Sequence, residues 1–212
     1  MKKYILFDND GVLVETEIWY YEANKKALSE LNVELTFDTY MGIMARGGTA
    51  WEVATKKGIS KTVIDAKRFE RDIYYQEFLQ SKPIEIDGVV DVLKELKKDF
   101  NMGIVTTSRR VDFDLIHNSR PIIEQMDFTL CVEEYSHAKP HPAPYLAGMK
   151  KFNALANECI VVEDSQRGLS SAVAAGIDCA IVHNEFTKTH NFSKATHRIQ
   201  SLKELSALLK NV

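Results

Sequence analysis

Four polar clusters in this 212-residue chain carry the residue types that chemistry needs, and each follows a short apolar run. Asp8-Asn9-Asp10-Gly11 comes directly after Tyr4-Ile5-Leu6-Phe7, and Thr106-Thr107-Ser108 comes directly after Gly103-Ile104-Val105. Glu163-Asp164-Ser165 follows Ile160-Val161-Val162, while Lys139-Pro140 lies a short loop beyond Leu130-Cys131-Val132. If the apolar runs are strands of an open parallel sheet, these clusters meet at the carboxyl ends of the strands, where such sheets bind ligands. Asp8, Asp10 and Asp164 would then repel one another, at a cost of about 4 kcal/mol for a pair 4 Å apart at an effective dielectric near 20. A cation relieves that repulsion. Carboxylate oxygens without His or Cys neighbours suit a hard ion, and Mg²⁺ fits because it takes a few carboxylates and leaves positions for water or phosphate. Thr106 and Lys139 add a donor and a fixed positive charge for an anion. The chemistry this set describes is metal-assisted phosphoryl transfer.

The elements that must position these residues are legible in outline. Runs at Tyr4–Phe7, 103–105, 130–132, 160–162 and 180–182 are short, apolar and rich in β-branched residues, so they read as buried strands. Val89, Val92, Leu93 and Leu96 keep helical spacing, with Asp87 as a plausible cap, and 166–175 is Ala-rich and closes at Gly176. Strand and helix alternate, which predicts an α/β fold: a doubly wound parallel sheet covered on both faces. Residues 16–81 differ. They hold amphipathic stretches at 18–31 and 61–79, a Thr49/Glu52 capping pair before a helix at Trp51, and no convincing strand. The expected organisation is an α/β core of residues 1–15 and 82–212, interrupted by an all-helical cap of residues 16–81.

Composition narrows the function. Apolar residues at 45% and charged residues at 27% are ordinary for a globular protein, and a net charge of −3 argues against a dedicated nucleic-acid binder. Cys131, Cys159 and Cys179 are odd in number and lie in or near apolar stretches, as reduced core thiols do. The apolar run after Met1-Lys2-Lys3 ends at Asp8, too short for a signal peptide, and no stretch approaches a membrane span. The expectation is a cytoplasmic monomer with no membrane or nucleic-acid partner. None of the six histidines shows metal-ligand spacing. Trp51, Tyr20 and Tyr21 read as packing within the helical segment, and His141 as a loop residue.

At these residues the chain resembles the haloacid dehalogenase superfamily of phosphotransferases. The matching motifs are Asp8-Asn9-Asp10-Gly11-Val12, Thr106 at a strand end, Lys139-Pro140-His141-Pro142-Ala143-Pro144-Tyr145, and Glu163-Asp164-Ser165. They occur in the family's order and span nearly the whole chain. The resemblance is strongest to the branch with a small helical cap, which includes β-phosphoglucomutase and many sugar-phosphate phosphatases. It implies that Asp8 is the nucleophile forming an aspartyl-phosphate. It implies that Asp10 is the general acid for the leaving alkoxide and then the base for water. Asp8, the Asp10 backbone carbonyl and Asp164 would hold Mg²⁺, with Glu163 as a ligand or behind one. Thr106 and the Thr107 amide would hold phosphate oxygens, and Lys139 would neutralise the nucleophile and the transferring group.

The reaction expected is Mg²⁺-dependent hydrolysis of a small phosphorylated metabolite, with a sugar phosphate favoured. A hexose-phosphate mutase is the alternative, but mutase relatives carry a His in the first cap helix where this chain has Tyr20. A receiver-type phospho-acceptor module is the alternative from another class. It also gathers acids, a Thr and a Lys at strand ends, although its phosphorylated Asp ends a strand that here carries Thr106. Specificity is expected in the cap at Arg46-Gly47-Gly48, where glycine permits close approach and Arg can bind an anion or polyol. Glu15 replaces the Asp more usual after the first motif.

Overall fold

The structure is a computed structural model that describes residues 1–210. In chain order the elements are β1 (Tyr4–Phe7), α1 (Glu17–Ser29), α2 (Phe37–Ala45), α3 (Glu52–Lys56), α4 (Lys61–Ser81) and α5 (Val89–Leu96). Then come β2 (Asn101–Val105), α6 (Arg110–His117), β3 (Phe128–Leu130), α7 (Ala143–Phe152), β4 (Cys159–Glu163), α8 (Gln166–Ala174), β5 (Asp178–Val182), β6 (His197–Ile199) and α9 (Leu205–Leu209). The chain divides into two compact units, residues 1–15 with 85–212, and residues 16–84.

The larger unit is a six-stranded, all-parallel sheet of order β3-β2-β1-β4-β5-β6. The direction of growth reverses at β1, which pairs β2 on one side and β4 on the other. This is the point where open α/β sheets leave a crevice at their carboxyl edge. Register matters here: Phe7 pairs with both Ile104 and Val162. The next residues, Asp8, Val105 and Glu163, therefore stand at one level. β1, β2 and β4 are buried along nearly their whole length, which explains their unbroken apolar runs. One side of the sheet buries Leu6, Val105, Val161 and Ile181 with Tyr145 from α7 and Leu169 and Ala172 from α8. Cys131, Cys159 and Cys179 are buried, reduced and apart.

The smaller unit is helical. α1 packs along α4, and Tyr21, Leu28, Tyr40, Trp51, Ala54 and Ile64 form its core. Tyr20 packs edge-on against Tyr75 with ring centroids 5.1 Å apart, while the Arg71 guanidinium covers its face.

Several local expectations needed correction. β3 runs over Phe128–Leu130, two residues earlier than the apolar run suggested, because Val132 opens a 3₁₀ turn. Asp87 does not cap α5. Gly88 takes that place with φ 78°, and Asp87 instead pairs with Lys203 Nζ at 2.6 Å. β6 was not anticipated, since His197-Arg198-Ile199 has no apolar run. No helix among the described residues is long and apolar enough to cross a membrane.

Candidate active site

Lys139 is the hub of the strand-end cluster. Its ammonium donates to Asp8 Oδ1 at 2.8 Å, Glu163 Oε1 at 2.7 Å and the Val105 carbonyl at 2.9 Å. These three acceptors are the residues that register sets level at the ends of β1, β4 and β2. The Lys139 side chain is 2% exposed, and its peptide bond to Pro140 is cis. Burial opposes the charge on Lys139, but the Asp8 and Glu163 carboxylates outweigh it and hold the ammonium well above the usual lysine range.

Glu163 is buried completely and fully engaged. Oε1 accepts from Lys139 and from the Tyr145 hydroxyl at 2.7 Å. Oε2 accepts from the Asp164 and Ser165 amides, both at 3.2 Å, and from Ser165 Oγ at 3.0 Å. Burial works against this carboxylate, yet Lys139 and the two hydroxyls keep its pKa below the ordinary glutamate value. Five donors on two oxygens suit a residue that orients Lys139 and the first turn of α8. Gly168 makes room for it, because a Cβ at that position would fall inside the Glu163 carboxylate.

Asp8, Glu163 and Asp164 form a group in which one carboxylate oxygen from each lies within 4.8 Å of the other two. Lys139 pairs with two of these acids, Asp8 and Glu163. Burial, and then the Glu163 charge, push Asp8 up to about 7 even though Lys139 pulls the other way. An all-oxygen donor set with surplus negative charge is a suitable environment for a hard divalent cation. Gly11 gives Asp164 its space, for it has φ 78° and a Cβ there would overlap the Asp164 carboxylate and the Asn184 amide. Asn184 also donates to Glu15 Oε2 at 3.1 Å.

Asp10 stands on the other side of the motif, where Ser108 Oγ donates to its Oδ2 at 2.7 Å and Thr106 Oγ1 lies 3.5 Å away. Thr106 is fully buried, and its carbonyl accepts the Tyr135 hydroxyl at 2.6 Å. The Thr107 amide that follows makes no hydrogen bond with any described residue. Between the two aspartates, buried Asn9 anchors the turn. Its carbonyl accepts the amides of Leu13 at 2.9 Å and Val14 at 3.2 Å, and its side-chain Oδ1 lies 2.8 Å from His117 Nε2.

Asp8, Asp10, Thr106, Thr107, Lys139, Glu163 and Asp164 thus come together at one edge of the sheet. Arg46 and Gly47 lie in the helical unit, just after α2. There Arg46 pairs with Glu52 and donates to the Gly42 carbonyl at 2.9 Å. Sequence reasoning missed Ser108, Asn9, His117, Tyr135, Tyr145 and Asn184. For Ser108 a signal existed, its place in the Thr106-Thr107-Ser108 cluster. For the others, partners 18 or more residues away decide the role.

The haloacid dehalogenase-like hydrolase family matches residues 5–182. The chain belongs to this family. Within it, the chain is 26% identical to Protein CbbY of Rhodobacter capsulatus over 94% of its own length and 93% of that protein. It is 28% identical to a phosphoglycolate phosphatase of Colwellia psychrerythraea, over 84% and 82% of the two chains. Its fold is similar to the crystal structure of CbbY from Rhodobacter sphaeroides in complex with xylulose-(1,5)bisphosphate. That match has a TM-score of 0.83 and 21% identity, covering 97% of this chain and 96% of that one. With curated relatives of this kind, the chain is a phosphoric monoester hydrolase of the haloacid dehalogenase-like family. Membership removes the receiver-type module from consideration.

Proposed function

We propose that this hydrolase is a Mg²⁺-dependent phosphatase of a small phosphorylated metabolite, a sugar phosphate, working through an aspartyl-phosphate on Asp8. The observation that carries the reading is Asp8 itself. Its carboxylate ends the central strand, bonded to a buried lysine and beside two further acids. In the first step an Asp8 oxygen attacks phosphorus, the bond to the leaving oxygen breaks, and Asp10 gives that oxygen a proton. In the second, Asp10 takes a proton from water as the water oxygen attacks the same phosphorus, and Asp8 is released. Thr106 Oγ1, the Thr107 amide and Lys139 are donors for the phosphoryl oxygens, fixed in place before charge develops on them.

Asp8, the Asp10 carbonyl and Asp164 would hold Mg²⁺, while Glu163, saturated by its five donors, supports Lys139 from behind. A bound divalent ion supplies positive charge against the acids and the transferring group. The mutase alternative is the weaker reading, since Tyr20 is occupied by packing on Tyr75 and Arg71 and offers no imidazole. Arg46 and Gly47 remain candidates for reading the non-phosphate part of the substrate, in which case a ligand competes with Glu52 for the guanidinium.

The test is phosphate release over a panel of sugar phosphates and p-nitrophenyl phosphate with Mg²⁺. Asp8→Asn is expected to abolish turnover of every substrate with the fold intact, and near-normal turnover would remove Asp8 as nucleophile. In the same panel Arg46→Ala raises KM for sugar phosphates more than for p-nitrophenyl phosphate; equal changes would remove it from substrate reading.

A further inference from the structure

Ser108 carries no role in the reaction as described so far, yet it touches the side chain on which proton transfer depends. Three hydrogen bonds run in one direction from it and back to it. The Ser108 amide donates to Thr106 Oγ1 at 3.1 Å. Thr106 Oγ1 donates to Ser108 Oγ at 3.1 Å, and Ser108 Oγ donates to Asp10 Oδ2 at 2.7 Å. Each hydroxyl has one proton to give. Ser108 gives its proton to Asp10, and Thr106 gives its own to Ser108, which polarises the next bond in the chain. The direct path from Thr106 to Asp10 is longer, at 3.5 Å. Ser108 is therefore the shorter and better hydroxyl contact of the acid.

We propose that Ser108 is the positioning residue for Asp10, and that the Thr106–Ser108 pair links occupancy of the phosphate site to the setting of the acid. The proposal rests on the assignment of Asp10 as general acid. The relay ends on Asp10 and restrains the torsions of its carboxylate through the 2.7 Å bond. When a phosphoryl oxygen takes the Thr106 proton, Ser108 loses its donor, and its own bond to Asp10 weakens at the moment the carboxyl group must turn to the leaving oxygen. Ser108 backbone geometry does not need this side chain, because its carbonyl is already tied to the Val132 amide at 3.1 Å.

The experiment compares Ser108→Ala, Ser108→Cys and Ser108→Thr with wild type, using kcat/KM for a sugar phosphate and for p-nitrophenyl phosphate. This parameter reports the phosphorylation step. An alkoxide needs the proton from Asp10, whereas p-nitrophenolate leaves without it. For Ser108→Ala the sugar-phosphate value is expected to fall about 10- to 100-fold, the scale of a displaced catalytic group. The p-nitrophenyl phosphate value and both KM values should stay close to wild type. Ser108→Thr keeps the hydroxyl and restores the sugar-phosphate value, and Ser108→Cys, which keeps the shape with a weaker donor, falls between. Equal losses on both substrates would make Ser108 a phosphate ligand or a structural residue and overturn the proposal, as would no loss at all. If wild type releases phosphate from neither substrate, the phosphatase reading fails first and takes the relay with it. Thermal unfolding of each variant identifies any that does not fold; if Ser108→Ala is one, Ser108→Cys decides, with the same leaving-group contrast required.

Discussion

Lys139 Nζ stands 2.8 Å from Asp8 Oδ1 with almost no access to water. Its second partner, Glu163, has none. Removing the lysine would leave two buried carboxylates facing each other, and breaking a buried pair in this way costs about 3–5 kcal/mol. Lys139→Met is therefore expected to lower the unfolding free energy by that order as well as phosphatase activity. Denaturant unfolding alongside phosphate release checks both, and a variant as stable as wild type would show that the acids escape by protonation.

Three acids against one lysine make the cluster metal-dependent in the proposed reading. EDTA should silence phosphate release and Mg²⁺ restore it. Asp164→Asn removes one of the charges, and the Mg²⁺ concentration for half-maximal activity should rise about tenfold or more, the size seen when a ligand shell is weakened. A titration of activity against Mg²⁺ measures this, and an unchanged midpoint would take Asp164 out of the metal site.

His117 gives a pH dependence with a defined sign. Burial, with Arg120 adding to it, pushes its pKa down from 6.5 to about 4 in the folded protein. The unfolded chain binds the proton first, so stability is complete above pH 6.5 and is lost as pH falls from there to about 4. The full loss is about 3 kcal/mol, most of it above pH 5. Urea unfolding at pH 7 and pH 5 should show wild type losing about 2 kcal/mol more than His117→Gln over that interval. Parallel losses would mean that other groups carry the acid sensitivity.

Gly168 packs directly on the Glu163 carboxylate, so Gly168→Ala tests how tightly that carboxylate is held. The new methyl group has no room, and overpacking of this kind costs about 1–3 kcal/mol. Because Glu163 carries Lys139, kcat should fall with stability. A melting temperature and kcat equal to wild type would show that Glu163 can move aside at no cost.

Much of the core was legible because the sheet is buried on both faces. β1, β2 and β4 then appear as apolar runs, and a carboxylate or hydroxyl directly after each run stands out. β6 escaped because an edge strand with one buried residue, Ile199, carries no such run. Ser108, Asn9 and His117 escaped for another reason. Their roles are set by side-chain bonds across about a hundred residues of sequence, Ser108 to Asp10 and His117 to Asn9. Spacing rules report neighbours along a helix or strand and are silent about such pairs. The Asp87 cap failed because a lysine far along the chain, Lys203, offered the carboxylate a partner.

The central position of β1 has a consequence for how the chain matures. Its two neighbours begin at Asn101 and Cys159, so the first fifteen residues emerge from the ribosome long before either is available. Residues 16–84 form a contiguous compact unit that lies between β1 and both of its partner strands in the sequence. The loops that join β1 to its neighbours are long, but closing them costs only logarithmically in length. β1 therefore stays without either strand partner while the whole helical unit is being synthesised. Chaperone protection, if the cell supplies any, would matter most for Tyr4-Ile5-Leu6-Phe7 during that interval.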